Sequence, residues 1–181
     1  MNKKSIILIA GQKRSGKDTT ANLLAQALAD NSINTKVLSF ASAMKNIIAI
    51  TLGITEVELD ALKNDPANPH RGYLQRFGTE AMKPWFGDDI WSKLAKVQVD
   101  NSSAEIFIFA DFRFPEEFKT LEAFYDVTTI KVSRPALIND DADGHPSERA
   151  LDDWTFDHRI INDSSIDDLR AVVTKLVQHL S

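Results

Sequence analysis

The chain has 181 residues, 43% hydrophobic and 26% charged, with a net charge of −5. That balance suits one globular domain with a substantial core and excludes a generally basic surface for coating nucleic-acid polymers. The absence of cysteine removes disulfides, thiolate zinc sites and thiol nucleophiles, and no apolar run approaches the roughly 18 residues that span a bilayer.

Residues 5–10, SIILIA, form a compact apolar run ending at Gly11, as expected of a strand buried on both faces. The start MNKKSIILIAG is too short in its apolar part, and lacks the cleavage pattern, for a signal peptide; the expected location is the cytoplasm. A helix is predicted from residue 17 to about 30, with Leu23, Leu24, Ala27 and Leu28 on one face. A second strand follows at 35–40. Strand, helix and strand in so short a span make a βαβ unit with parallel pairing. A long helical section is predicted over about 41–101, interrupted at KNDPANPH. A third strand (105–110) ends in DFRFPEE. A short helix near 115–124 leads to a fourth strand at 127–133. The polar stretch ALINDDADGHPSE comes next, then a short fifth strand near 159–161. A closing helix carries Ile166, Leu169, Val173, Leu176 and Leu180 at helical spacing. The four histidines are scattered, without paired metal-ligand spacing. This order predicts a single three-layer α/β domain with a mostly parallel five-stranded sheet, whose ligands sit at the carboxyl ends of the strands. Its core comprises 1–40, 104–133 and 155–181.

Five groups of residues then stand out. Gly11, Gly16 and Lys17 have the G-x-x-x-x-G-K phosphate-loop spacing between a strand and a helix, where backbone N–H groups and the helix end can surround phosphate oxygens. Asp18 stands where Ser or Thr usually holds magnesium, and Thr19 follows it. Asp111, ending the third strand, is a candidate second metal anchor, often acting through water in such proteins. Arg113 is either a phosphate clamp or the partner of Asp111, and Glu116 and Glu117 read as first-turn acids. Arg71, Gln75 and Thr79 form a polar stripe beside an apolar one of Leu74, Phe77 and Ala81, with Arg76 and Glu80 as an i,i+4 pair. Arg134, His145 and Arg149 flank or lie in a loop (about 134–150) that suits either a closing lid or a merely solvated segment. Either Asn162 and Asp163 border a base, or Asp163, Ser164 and Ser165 start and cap the last helix.

The motifs GQKRSGKDT, LQRFGTE, DFRFPEE, RP followed by HPSE, and IIND occur in this order over nearly the whole length. In this combination the chain resembles the phage-type deoxynucleoside monophosphate kinases, within the P-loop nucleoside monophosphate kinases. The resemblance implies a P-loop NTPase fold with a helical acceptor-binding region (about 41–101) and a mobile lid. It implies transfer of the ATP γ-phosphoryl group, with Mg2+, to a deoxynucleoside monophosphate, in the host cytoplasm if phage-encoded. No membrane or nucleic-acid polymer is implied, and a homodimer is admissible. Asp18 matches the family's SGKD. Lys83 departs from it, standing where Arg often follows GTE. The donor side implied is Gly11, Lys13, Arg14, Ser15, Gly16, Lys17, Asp18, Thr19 and Asn162. The acceptor side is Arg71, Gln75, Thr79, Glu80, Arg113, His145 and Glu148. Lys17, Arg113 and Arg134 take catalytic roles, and Asp18 and Asp111 the metal. The alternatives are a P-loop kinase for another small acceptor, such as phosphomevalonate or dephospho-coenzyme A, and a non-kinase ATP-dependent switch.

Overall fold

The computed structural model of the chain describes residues 3–64, 70–135 and 150–180. Five strands form its sheet: β1 (Ser5–Ala10), β2 (Thr35–Leu38), β3 (Ile106–Phe109), β4 (Asp126–Ser133) and β5 (His158–Ile161). Their order is β2-β3-β1-β4-β5, and every pairing among the described residues is parallel. The sheet expected to be mostly parallel is wholly so.

Side chains alternate across a strand, and both sides of β1 are buried. Ile7 and Ile9 face Leu24 and Leu28 of α1 (Lys17–Asp30) and Leu169 and Val173 of α8 (Ile166–Val177). Ile6 and Leu8 join Phe107 and Phe109 on the other face. Above them lie α6 (Ile90–Asp100), through Ala95 and Val99, and α7 (Pro115–Glu122), through Leu121. The fully buried Phe107 and Phe109 each contribute about 2–3 kcal/mol by removal of apolar area from water. The chain leaves β1 to fill one side of the sheet with β2 and β3, then crosses to β4. The ends of β1 and β3 therefore flank the crevice where such sheets bind ligands.

The region expected as one interrupted helical section is built of shorter pieces. These are α2 (Phe40–Leu52), α3 (Glu56–Asn64), α4 (His70–Arg76), a π-helical turn (Phe77–Met82), α5 (Lys83–Phe86) and α6. The expected second strand stops at Leu38, because Ser39 caps α2 by accepting a hydrogen bond from Ala41 N. Phe40 then stacks on Phe109 with ring centroids 4.5 Å apart, which sets the start of α2 against the end of β3.

The π turn corrects the expected stripes. It takes more residues per revolution than an α turn, so Ala81 is exposed and Gly78 is buried in its place, while Leu74 keeps its buried position. Trp91 Nε1 donates to the Gly78 carbonyl at 3.3 Å, and a Cβ at Gly78 would stand 2.9 Å from Met44 Sδ. No single helix among the described residues is long and apolar enough to cross a membrane.

Candidate active site

The loop after β1 turns on Gly16, which has φ +94° and ends directly in α1. A side chain there would be strained by this backbone conformation. Its Cβ would also lie 2.3 Å from Asn162 Nδ2. That nitrogen donates to the Ser15 carbonyl at 2.9 Å, while Asn162 N donates to the Ser133 carbonyl at 2.8 Å. Asn162 thus ties the loop to the end of β4, a role beside the base contact expected of it. The cap of α8 is Ser165, paired reciprocally with Asp168, as the capping alternative expected.

No side chain caps α1, so its first-turn N–H groups, which lack intrahelical acceptors, open onto the loop. Lys17 is half-buried, whereas Lys13, Arg14, Asp18 and Thr19 are exposed and Ser15 is buried. Gly11 is half-buried at the end of β1. Arg14 also takes a left-handed backbone, with φ +65°.

Across the crevice, Asp111 follows β3 and closes the start of α2. Its Oδ2 accepts from Ser39 Oγ at 2.6 Å and Ala41 N at 3.1 Å, and its Oδ1 accepts from Phe40 N at 3.1 Å. A carboxylate on the N-terminal N–H groups of a helix is favoured by both hydrogen bonding and the helix dipole. Two lone-pair sites per oxygen leave one on Oδ1 for a further donor, such as a water.

Asp18 and Asp111 line one cavity of about 360 Å³ with Ser39, Ser42, Lys45 and Glu56. Lys45, on α2, was not singled out by the sequence. Its Nζ pairs with Asp60 of α3 at 2.9 Å from Oδ1 and 3.0 Å from Oδ2. A lysine on an amphipathic helix gives no signal of its own. Ser39 did: a serine before an apolar helical run is an N-cap pattern.

Glu117 is not an ordinary first-turn acid. It is buried, and its Oε2 accepts from Arg113 N at 2.8 Å and Phe114 N at 3.1 Å. Burial pushes its carboxyl up to about 8; the Arg113 N–H and, more weakly, the Phe114 N–H and Lys83 oppose this, and the nearby charge of Asp111 adds to it. Lys83 itself lies over the Phe114 ring at 4.2 Å, with Asp88 at 4.0 Å. The residue that departs from the family pattern therefore packs against the DFRF turn.

Arg113 is half-buried and Arg134 exposed just beyond β4. Thr79 is exposed, and the exposed Glu80 accepts from Arg76 Nε at 3.3 Å, as the ordinary i,i+4 pair would. The side chains of Arg71 and Gln75, and all of His145, Glu148, Arg149 and most of the expected lid, lie outside the described residues.

A model of the deoxynucleotide monophosphate kinase family matches residues 28–173. The chain belongs to this family. The kinase thus phosphorylates deoxynucleoside monophosphates at the expense of ATP. The match begins after the first loop, so residues 11–19 stand on their own geometry. A solved structure from Chloroflexus aurantiacus, described as that of a candidate kinase, aligns at a TM-score of 0.54 and 16% identity, covering 99% of this chain and 100% of the other. It shares the fold. The Mycobacterium tuberculosis APS kinase CysC, in complex with AMPPNP and APS, aligns at 0.49 and 16% identity over 97% and 98% of the two chains. Shikimate kinase from Acinetobacter baumannii, with shikimate, aligns at 0.49 and 12% over 99% and 93%. No curated protein sequence matches the kinase.

Proposed function

We propose that the kinase holds ATP phosphates on the loop after β1 and the acceptor monophosphate in the cavity between Asp18 and Asp111. The observation that carries this reading is the shared cavity: the first turn of α1 and the end of β3 meet there beside Lys45. Lys17 and the open N–H groups of α1 take the donor phosphates. Arg113 and Arg134 are the clamps on the transferred group. Thr79, Arg71 and Gln75 serve the acceptor, with His145 and Glu148 from the segment that follows Arg134. The helical stretch of about 41–101 is the acceptor side, and residues of about 134–150 close the site.

The acceptor phosphate needs no strong base, because with a second pKa near 6 it is already mostly dianionic at neutral pH. Catalysis is then alignment of two phosphates and neutralisation of their charge by a fixed set of cations. Asp18 and Asp111 fit magnesium as two carboxylates, one with little free coordination capacity. Among the described residues there is no group of three or more potential protein ligands, and magnesium takes one or two carboxylates and keeps its waters. Asp18 would hold the ion and Asp111 one of its waters. When bound, the ion would neutralise charge on the donor phosphates.

The testing experiment is a coupled ADP-release assay over ribo- and deoxyribonucleoside monophosphates. Release that requires a deoxynucleoside monophosphate is expected. ATP hydrolysis indifferent to any monophosphate would refute the reading.

A further inference from the structure

The charges lining the cavity are unevenly matched. Asp18, Glu56 and Asp111 are acidic, and Lys45 is the cation among the described lining residues. A phosphate dianion entering there meets repulsion from three carboxylates unless magnesium and Lys45 offset it. Yet Lys45 already has a partner in Asp60, which is not among the residues lining the cavity. The two partners differ in their access to water. The Lys45 side chain is 21% exposed, and the Asp60 side chain is 41% exposed. An ammonium as enclosed as that of Lys45 gains from a nearby counter-charge. The carboxylate of Asp60, the more exposed of the two, can give up Lys45 at modest cost.

We propose that the Lys45–Asp60 ion pair is a displaceable latch on the acceptor cavity: the entering monophosphate takes Lys45 from Asp60. The pair holds the lysine between α2 and α3 while the cavity lacks a phosphate. The dianion, with more charge and three acceptor oxygens, then replaces the carboxylate. Asp60 acts through Lys45 and is a positioning residue, whereas Lys45 touches the substrate. This rests on the acceptor site proposed above. Its particular content is that Asp60 competes with the substrate, so removing its charge improves acceptor binding.

The test measures KM for each of the four standard deoxynucleoside monophosphates and for ATP. It uses the full-length wild type, Asp60→Asn, Lys45→Met, Lys45→Arg and the Asp60→Asn/Lys45→Met double variant. Asp60→Asn should lower the acceptor KM about two- to five-fold, the range of a partly exposed ion pair, and leave the ATP KM alone. Lys45→Met should raise the acceptor KM at least about ten-fold, as loss of a charged hydrogen bond does, and Lys45→Arg should recover part of it. In the Lys45→Met background, Asp60→Asn should change nothing further, because the competition has lost its object. An acceptor KM that is unchanged or raised in folded Asp60→Asn overturns the latch. So does a gain that persists without Lys45, which would make Asp60 a diffuse charge effect. A Lys45→Met effect confined to the ATP KM moves the lysine to the donor side and also refutes the proposal, with the kinase activity intact. Absence of transfer to any monophosphate by the wild type would instead sink the acceptor-site reading, and the latch with it.

Discussion

Gly16→Ala tests how the first loop is held. The alanine must adopt φ near +94°, which costs roughly 1–2 kcal/mol for a residue with a Cβ. Its methyl would lie 2.3 Å from Asn162 Nδ2, so the amide must swing away and release the Ser15 carbonyl. A lost hydrogen bond adds about 1 kcal/mol. The sum, about 2–3 kcal/mol, corresponds to a fall in Tm of about 4–12 °C for a chain of this size. The two contributions separate in a double-mutant cycle. Asn162→Ala alone should cost about 1 kcal/mol. In its background, Gly16→Ala should cost only the backbone strain, so the pair falls short of additivity by about 1 kcal/mol. The assay is thermal and urea unfolding of the four chains, with KM for ATP measured beside it. KM should rise in both single variants, since Asn162 acts through the loop. Strict additivity would refute the bracing role of Asn162. A Gly16→Ala protein of wild-type stability would refute the loop conformation itself.

Glu117→Gln should flatten the pH dependence of stability. An ordinary carboxyl at 4.5 is raised to about 8 in the folded chain, so between those values the native state keeps a proton that the unfolded state has released. Stability therefore falls as pH rises through this window, by up to a few kcal/mol. Urea midpoints from pH 5 to 9 should show a decline in the wild type and little of it in Glu117→Gln; parallel declines would contradict the buried-carboxyl account. Trp91→Phe removes the donor to the Gly78 carbonyl at the π turn and should cost about 1 kcal/mol. It should raise the acceptor KM more than the ATP KM; an effect on ATP alone would detach the π turn from the acceptor side. Asp18→Asn should bind free ATP more tightly in chelator, because a repelling charge is gone, yet need more magnesium for half-maximal turnover. A magnesium midpoint that shifts for Thr19→Ala instead would make Thr19 the ligand.

The strands and the phosphate loop were legible because short-range patterns carry them. Residues 5–10 were a dense apolar run, and α1 (Lys17–Asp30) was found with its bounds unchanged. The boundary between β2 and α2 was misread by two residues: Phe40 looks like the end of a β-run, although it is the first residue of a helix stacked on Phe109. The polar stripe around Thr79 was drawn with α-helical spacing. A π turn depends on tertiary partners, here the Trp91 indole and Met44 against Gly78, that periodicity does not contain. Glu117 was read as a first-turn acid, which it is, but its burial was not foreseen, since nothing local marks a carboxylate as buried. Asp111 was singled out at a strand end, and the structure places it there. Its bonds to α2 were invisible, because Ser39 and Phe40 lie some seventy residues away. Lys45 was silent for the same reason: its place in the cavity is made by the meeting of α1, β2, α2, α3 and the end of β3.

The central claim is that the loop carrying Lys17 delivers phosphoryl groups to a deoxynucleoside monophosphate in the adjoining cavity. The most direct measurement follows the label from γ-labelled ATP in the presence of a deoxynucleoside monophosphate, for the wild type and for Lys17→Ala. Labelled deoxynucleoside diphosphate should form with the wild type and be absent with a Lys17→Ala protein of unchanged Tm. Label appearing as inorganic phosphate, or transfer by folded Lys17→Ala near the wild-type rate, would contradict the account.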